Sequence, residues 1–147
     1  MARKERLSTL KSAIPVGIEV RTSQVQEGGK DEYRKHFDGI LAEKVQALYL
    51  RYEEEDGAKV TFRISGDGVE LTRRSGQLRL RLSFSEGESE TTSYMTPYGA
   101  VELECRTDRL ECEYDEAGRC GGLAVDYVLF TGGEILGEYK IRLQFAA

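Results

Sequence analysis

Hydrophobic and polar residues alternate along most of this chain, from Pro15 to near its C-terminal end. A period of two is typical of β-strands that bury one face and expose the other. No long stretch shows the period of a helix. The alternation therefore predicts an all-β protein, and it is clearest in the segments VGIEVRT (16–22), LYLRYE (48–53), KVTFRI (59–64), QLRLRLSF (77–84) and GEYKIRLQF (137–145).

Short turn sequences rich in glycine separate these segments. They are Glu27–Lys30, Asp56-Gly57, Gly66–Gly68, Ser75-Gly76, Glu86-Gly87, Glu116–Gly118 and Thr131–Gly133. The resulting strand spacing of about 8–12 residues is that of a sandwich or a barrel. Because every connection is short, an antiparallel up-and-down meander of about 8–10 strands is favoured over a Greek-key sandwich. Closure into a barrel would remove the two exposed edges of such a meander.

The chain divides into a basic N-terminal segment, residues 1–14, and a single β-barrel domain, residues 15–147. The segment is expected to be flexible or to form a short helix. It lacks the apolar stretch of a secretory signal, and no run of 18 apolar residues is present to span a membrane. We therefore expect a bacterial-type cytoplasmic protein, monomeric or homodimeric.

The alternation changes phase at Asp108-Arg109, between Cys105 and Cys112. Either one long strand carries a β-bulge there, or a tight two-residue turn separates two strands. The bulge is favoured because the next clear turn signal comes only at Glu116–Gly118. The turn would instead place the two cysteines opposite each other.

The sequence contains no recognisable catalytic or metal-binding pattern. The three cysteines lack CxxC spacing, which argues against zinc and against a disulfide framework. His36 stands beside Arg34 and Lys35 and is expected at the surface, and the acidic Glu53–Asp56 is expected to be a solvated loop tip. The net charge of −5 disfavours nucleic-acid binding. We expect no enzyme activity, no metal and no cofactor.

Thr96-Pro97-Tyr98-Gly99 is the most compact turn signal in the chain. Pro97 suits the second position of a β-turn, and Gly99 suits a position where φ must be free. Thr96 precedes proline and is therefore held extended. Each residue has a backbone reason to be there, which favours a turn over a ligand contact.

Three tyrosines are candidates for the barrel interior. Tyr94 shares a face with Thr92, whereas Tyr127 and Tyr139 each alternate with aliphatic residues. Buried tyrosine hydroxyls need hydrogen-bond partners, and several that converge in one barrel could bind the polar end of a ligand. The alternative is that they bond to each other, to an arginine or to water within a filled core.

Several short segments resemble the YwiB-like family of small bacterial proteins, in matching order from about Pro15 to Phe145. These segments are LYLRYEEE (48–55), RRSG (73–76), FSEG (84–87), SYMTPYG (93–99), TDRL (107–110), VDYVL (125–129) and LGEYKIRL (136–143). The resemblance implies a calycin-type, lipocalin-like β-barrel. The family is a domain of unknown function, so the resemblance implies no activity and no catalytic residues.

A barrel of this type that held a carboxylate ligand would place an arginine near its rim. Arg73 shares a face with Val69 and Leu71, whereas Arg74 lies on the opposite face. If the apolar face is inward, Arg73 is at the rim and Arg74 is solvated. Alternation assigns neither firmly to the interior, and Arg74 is included among the candidate ligand-binding residues.

Two functional hypotheses follow. In the first, the barrel binds a small, largely apolar ligand through Tyr94, Tyr127, Tyr139, Thr92 and Arg74, because eight to ten strands enclose room for one such molecule. In the second, the core is filled and the outer surface binds a protein partner. Neither hypothesis involves a membrane.

Overall fold

The computed structural model describes residues 10–147, and these residues form ten β-strands. In chain order the strands are β1 (Leu10–Gln26), β2 (Gly29–Lys44), β3 (Ala47–Glu53), β4 (Lys59–Ser65), β5 (Gly68–Ser75), β6 (Leu78–Phe84), β7 (Ser89–Thr96), β8 (Gly99–Asp115), β9 (Cys120–Thr131) and β10 (Glu134–Ala146). Each strand pairs antiparallel with the next, and β1 pairs with β10 to close the barrel. The predicted meander and its closure are confirmed. None of the described residues forms a helix that could cross a membrane.

Alternate side chains of each strand point into the barrel, as the period of two requires. In β6, for example, Leu82 and Phe84 are buried, whereas Arg79 and Arg81 are exposed. Phe62 of β4 and Val125 of β9 are also among the residues with almost no exposed surface. The interior of the barrel is therefore the hydrophobic core of the protein.

The two ends of the barrel differ in how they are filled. In a meander, alternate hairpins lie at the same end; we call the end with the β1–β2, β3–β4, β5–β6, β7–β8 and β9–β10 connections the upper end. Leu41, Leu143 and Phe145 are fully buried near the opposite, lower end and close it. Among residues 10–147, the interior cavity described below lies towards the upper end.

The phase change at Asp108-Arg109 is a β-bulge, and this prediction is confirmed. The register of β8 against β9 shifts between Thr107 and Arg109, while β8 continues unbroken. The interpretation as a turn is wrong, because Cys105 and Cys112 lie on one strand. The bulge also turns the backbone of Thr107 towards the β6–β7 connection, where its N–H donates to the carbonyl of Glu88 at 2.9 Å.

The barrel wall is weakest between β6 and β7. These two strands are paired at Arg79 and Met95 alone, near the upper end. Below this point they separate, and the residues that connect them, 85–88, bond to β8 instead. The inward face of β7 is thereby held farther from the rest of the wall.

β1 begins earlier than the sequence pattern predicts. Residues 10–14 were assigned to the N-terminal segment, but the structure places them in the strand, paired with β2. Ile14 lies opposite Leu41 and packs against the core, which explains why the strand includes it. Residues 1–9, which hold the rest of the predicted segment, lie outside the described residues.

Candidate functional site

A cavity of about 290 Å³ opens at the upper end of the barrel. This volume is at the small end of the range of ligand pockets, about 300–1,000 Å³. Two larger depressions are shallow and lie open to solvent on the outside of the barrel. Most of the wall of the cavity at the upper end is apolar. The aromatic and charged side chains that line this cavity are Tyr33, Tyr52, Glu54, Phe62, Arg73, Tyr127, Tyr139 and Lys140.

Tyr127 and Tyr139 form one side of the cavity. They lie directly opposite each other on β9 and β10, and their rings stack with centroids 5.1 Å apart. Phe84 packs against Tyr127 from below, with a centroid distance of 4.8 Å. The Tyr139 hydroxyl accepts a hydrogen bond from Nε2 of Gln26 at 3.0 Å. The two rings are therefore held in a fixed orientation beside the cavity.

The hydroxyls of Tyr127 and Tyr52 are neutral hydrogen-bonding groups at any physiological pH. Burial raises the pKa of both well above the ordinary value of 10.0, and Glu54 adds to the effect at Tyr52. Both residues are buried and line the cavity. Among residues 10–147, neither hydroxyl makes a hydrogen bond to another protein group. Both hydroxyls are therefore available to a molecule in the cavity.

Arg73 lies at the mouth of the cavity and is bound to the β3–β4 loop. Its Nε donates to Oε1 of Glu54 at 2.6 Å, and its Nη2 lies 3.5 Å from Oδ2 of Asp56. Burial opposes the charged form of Arg73, but the hydrogen bond and charge of Glu54 outweigh it, so its pKa is raised. Arg73 is accordingly a permanent cation at the mouth of a largely apolar cavity.

A second ion pair holds the other side of this loop. Lys35 extends from β2 to the carboxylate of Glu55, next to the Glu54 that Arg73 binds. Ala58, at the end of the loop, is fully buried, and its N–H donates to Oδ1 of Asp56 at 3.0 Å. Glu53, Glu55 and Asp56 are exposed, as predicted for a solvated loop tip, whereas Glu54 is half-buried and forms part of the rim of the cavity.

The structure brings together only part of the predicted ligand-binding set. Tyr127 and Tyr139 line the cavity. Tyr94 and Thr92 are half-buried on the inward face of β7 but lie outside the cavity wall, because β6 and β7 separate there.

Arg74 was included among the candidate ligand-binding residues, but its side chain is exposed on the outer face. The inward residue at the rim is Arg73. The alternation of Val69, Leu71 and Arg73 already carried this signal. Tyr52 was detectable in the same way, since it follows Leu48 and Leu50 on the inward face of β3. By contrast, nothing in the sequence indicated that Glu54 would turn back towards Arg73.

The Thr96–Gly99 segment is a turn, as predicted. Pro97 and Tyr98 connect β7 to β8, and the Thr96 hydroxyl accepts from the Tyr98 N–H at 3.2 Å and donates to the Gly99 carbonyl at 2.8 Å. Gly99 has a φ of 120°, a value that favours glycine. Tyr98 is 99 % exposed and does not reach the cavity.

The predicted surface position of His36 is also confirmed, since its side chain is 73 % exposed. It lies 3.8 Å from the Glu19 carboxylate on the outer face of β1. No group of three histidine, cysteine or acidic residues within 10–147 is arranged to hold a metal ion.

The three cysteines are free thiols with unequal exposure. Burial, with a smaller effect of Glu90, raises the pKa of Cys105 to about 12, whereas Cys112 is exposed and its pKa is raised less.

Because the thiolate is the reactive form, iodoacetamide at pH 8 is expected to label Cys112 in the native protein and Cys105 only after unfolding. Mass spectrometry of alkylated peptides measures this. Equal labelling rates at the two sites would contradict the burial of Cys105.

Comparison with known proteins gives a consistent result for the whole barrel. The chain is 26% identical over 127 residues to the uncharacterized beta-barrel protein YwiB of Bacillus subtilis (strain 168), covering 85% of this chain and 88% of that protein. The crystal structure of the YwiB protein from Bacillus subtilis superposes with a TM-score of 0.81 at 21% identity, over 97% of both chains. The ten-stranded barrel is thus a fold already seen in an experimental structure.

A family model agrees with both comparisons. It is described as a domain of unknown function, DUF1934, and it matches residues 18–143. The match runs from the middle of β1 to the last part of β10, and so includes the strands that close the barrel and those that line the cavity. The chain therefore belongs to the DUF1934 family of β-barrel proteins.

Proposed function

We propose that this protein binds a small, largely apolar molecule with one polar end in the cavity at the upper end of the barrel. The observation that carries this proposal is Tyr127, a largely buried residue of the cavity wall whose hydroxyl makes no hydrogen bond among residues 10–147 and is available to a ligand. A ligand acceptor or donor would give this hydroxyl a hydrogen-bond partner inside the barrel.

The cavity limits what this ligand can be. A volume of about 290 Å³ accommodates a single-ring molecule, and a long acyl chain would not fit above the packed lower half. Tyr127 and Tyr139 offer aromatic faces for such a ring. Its polar end would be directed to Tyr127 or Tyr52, or to Arg73 if that end is anionic.

The first experiment is native mass spectrometry of the freshly purified protein. An added mass of a few hundred daltons or less in stoichiometric amount would support a ligand in the barrel, and extraction would identify it. Benzoate, benzamide and benzyl alcohol then serve as probes, because they share one ring and differ in the polar end. The proposal fails if the purified protein carries no ligand and none of the three probes shifts the NMR signals of cavity residues.

The Tyr127→Phe variant separates binding from stability. We expect it to weaken binding of the best probe about three- to tenfold, by loss of one hydrogen bond. Because this hydroxyl has no protein partner among residues 10–147, the free energy of unfolding should change by less than about 0.5 kcal/mol. Titration calorimetry and denaturant unfolding measure the two quantities.

Tyr114→Phe is the matched control for that variant. The Tyr114 hydroxyl donates to Oε1 of Glu43 at 2.9 Å near the lower end, away from the cavity. Its removal is expected to lower stability and to leave probe binding unchanged. If Tyr114→Phe weakens binding as much as Tyr127→Phe, the probes are not bound where we propose.

A second candidate function is binding of a protein partner through the outer surface. Tyr98 is 99 % exposed and Ile135 is 59 % exposed, and both lie at the upper end, in or beside hairpin turns. A partner that covered this end of the barrel would bury exposed apolar surface of both hairpins. The same native mass spectrum distinguishes the two functions, because a dimer or a protein complex without a bound small molecule supports the second.

A further inference from the structure

The strand register places three arginines in one row on the outer face of the barrel. Arg34 of β2 lies directly opposite Arg21 of β1, which lies directly opposite Arg142 of β10. Neighbouring strands are about 4.8 Å apart, so the row extends over roughly 10 Å. Like charges that face each other across strands destabilise a sheet. The row therefore carries an electrostatic cost that the fold itself does not require.

Carboxylates of the protein neutralise this row only in part. Glu19 lies 3.0 Å from Nη2 of Arg34 and 4.0 Å from Nε of Arg21. Asp126 lies 2.8 Å from Nη1 of Arg142. Two carboxylates are thus paired with three guanidinium groups. Arg21, at the centre, is the farthest of the three from a carboxylate oxygen, at 4.0 Å.

The next row along the strands holds one acidic and one basic residue and so adds no net charge. It contains Glu32, Ser23 and Lys140, in register on β2, β1 and β10. Glu32 is bound to Lys30 at 3.0 Å. The short Ser23 leaves a depression between the two rows, with Arg21 and Lys140 on either side of it.

The row is accessible, and one member is held in place. The side chains of Arg34, Arg21 and Arg142 are 64 %, 57 % and 28 % exposed. Nη1 of Arg142 donates to the backbone carbonyl of Ile141 at 2.9 Å, which fixes that guanidinium against the sheet. Arg21 and Arg34 retain N–H groups directed to solvent.

We infer that this arginine row binds a small molecule that carries two or more linked phosphate groups. Guanidinium groups bind phosphate oxygens through paired, charge-assisted hydrogen bonds. Linked phosphates suit a row that extends over roughly 10 Å, whereas a single carboxylate would meet one arginine. The protein carries a net charge of −5, so the row is a local exception to its surface charge. The row lies on the outer face of the barrel, although Ser23 and Lys140 beside it also line the interior cavity.

Calorimetric titration with pyrophosphate tests the inference, and orthophosphate serves as the comparison anion. Wild-type protein is expected to bind pyrophosphate more tightly than orthophosphate at low salt, with an affinity that falls as sodium chloride is added. Arg21→Gln is expected to weaken pyrophosphate binding about tenfold or more, by loss of charge-assisted hydrogen bonds. Absence of pyrophosphate binding to the wild type would overturn the inference.

Arg81→Gln is the matched control, since it removes the same charge from the outer face. Arg81 is 67 % exposed and pairs one-to-one with Glu70 at 2.9 Å on another part of the barrel. It should leave pyrophosphate binding unchanged. Equal losses in Arg21→Gln and Arg81→Gln would mean that the anion responds to overall charge alone, and would overturn the site.

Stability in the absence of anion gives an independent readout. Because Arg21→Gln removes a repulsive group, its unfolding midpoint at low salt is expected to equal or exceed that of the wild type. A lower midpoint would mean that Arg21 has a structural role, and would contradict the inference.

Arg34→Gln, at the more exposed end of the row, should also weaken pyrophosphate binding. Tyr127→Phe should leave it unchanged, so that this test and the test of the interior cavity can fail separately.

Discussion

Replacement of Phe84 by alanine is expected to lower the free energy of unfolding by about 3 to 5 kcal/mol, the largest effect of any substitution considered for this barrel. Phe84 has almost no exposed surface and packs against the ring of Tyr127 at 4.8 Å. Its removal would leave a void in the closed lower half, where the surrounding strands are paired and cannot collapse fully. Denaturant unfolding measures the loss, which corresponds to roughly 10 °C in the melting midpoint.

Phe130→Ala is the matched control for Phe84→Ala. Phe130 is half-buried and lies outside the core, where the guanidinium of Arg106 covers its ring at 5.5 Å. Less apolar area returns to water when this ring is removed, so the loss is expected to stay below about 2 kcal/mol. Similar losses for the two phenylalanines would contradict the packed lower core.

The second large effect is expected from Gly121→Ala. A methyl group at Gly121 would overlap the carbonyl oxygen of Glu113 on β8 and would lie 2.8 Å from Cζ of Phe145. The carbonyl belongs to the backbone of a paired strand, so it cannot move without disturbing the β8–β9 ladder. Overpacking of this kind typically costs about 1 to 3 kcal/mol, and we expect the upper part of that range. Denaturant unfolding measures it.

The neighbouring Gly122→Ala substitution is a sensitive control. It makes the same chemical change one residue later, on the opposite face of β9, where the nearest atoms are 3.3 and 3.9 Å away. We expect a loss of less than about 1 kcal/mol, because the alanine is compatible with the strand and its neighbours need move only slightly. If both substitutions cost the same, the close approach of Gly121 to β8 is not what limits this position.

The two proposed binding sites differ in kind and in place. The cavity lies inside the upper end of the barrel and is lined mainly by aliphatic and aromatic groups, together with Lys140 and the ion-paired Arg73 and Glu54. The arginine row lies on the outer face of β2, β1 and β10. Thr22, Ser23, Tyr33 and Lys140 line both sites, but the cavity offers aromatic faces and the row offers guanidinium groups, so the two sites select different molecules. Separate measurements with single-ring probes and with pyrophosphate can therefore assign a function to either site alone.

The bulge in β8 illustrates what the sequence could predict. Its phase change at Asp108-Arg109 was visible because an inserted residue reverses which side chains are apolar. The separation of β6 from β7 left no such trace. Thr92 and Tyr94 follow a regular alternation, and alternation reports the face of a residue but not its distance from the opposite wall. This is why these two residues were predicted beside the cavity and lie away from it.

In the candidate site, too, the sequence pattern predicted the direction of a side chain but not its partner. Arg73 followed Val69 and Leu71 in phase, so its inward direction was predictable, whereas its partner Glu54 was not. Their contact joins the β3–β4 loop to β5, and no local pattern records which carboxylate of an acidic tip will turn inward. The row formed by Arg34, Arg21 and Arg142 depends in the same way on the register between strands far apart in sequence.

The sequence by itself determined the class of the protein: an antiparallel meander of about ten strands, its turns, its bulge and the inward face of most strands. These follow from local rules, because the period of two and the turn residues act within a few positions of the chain. Only the tertiary structure decided that the lower half is filled, that a small cavity remains above it, and that three arginines meet on the outer face. Such features depend on strand register and on distances across the barrel, which arise only when residues remote in sequence are packed together.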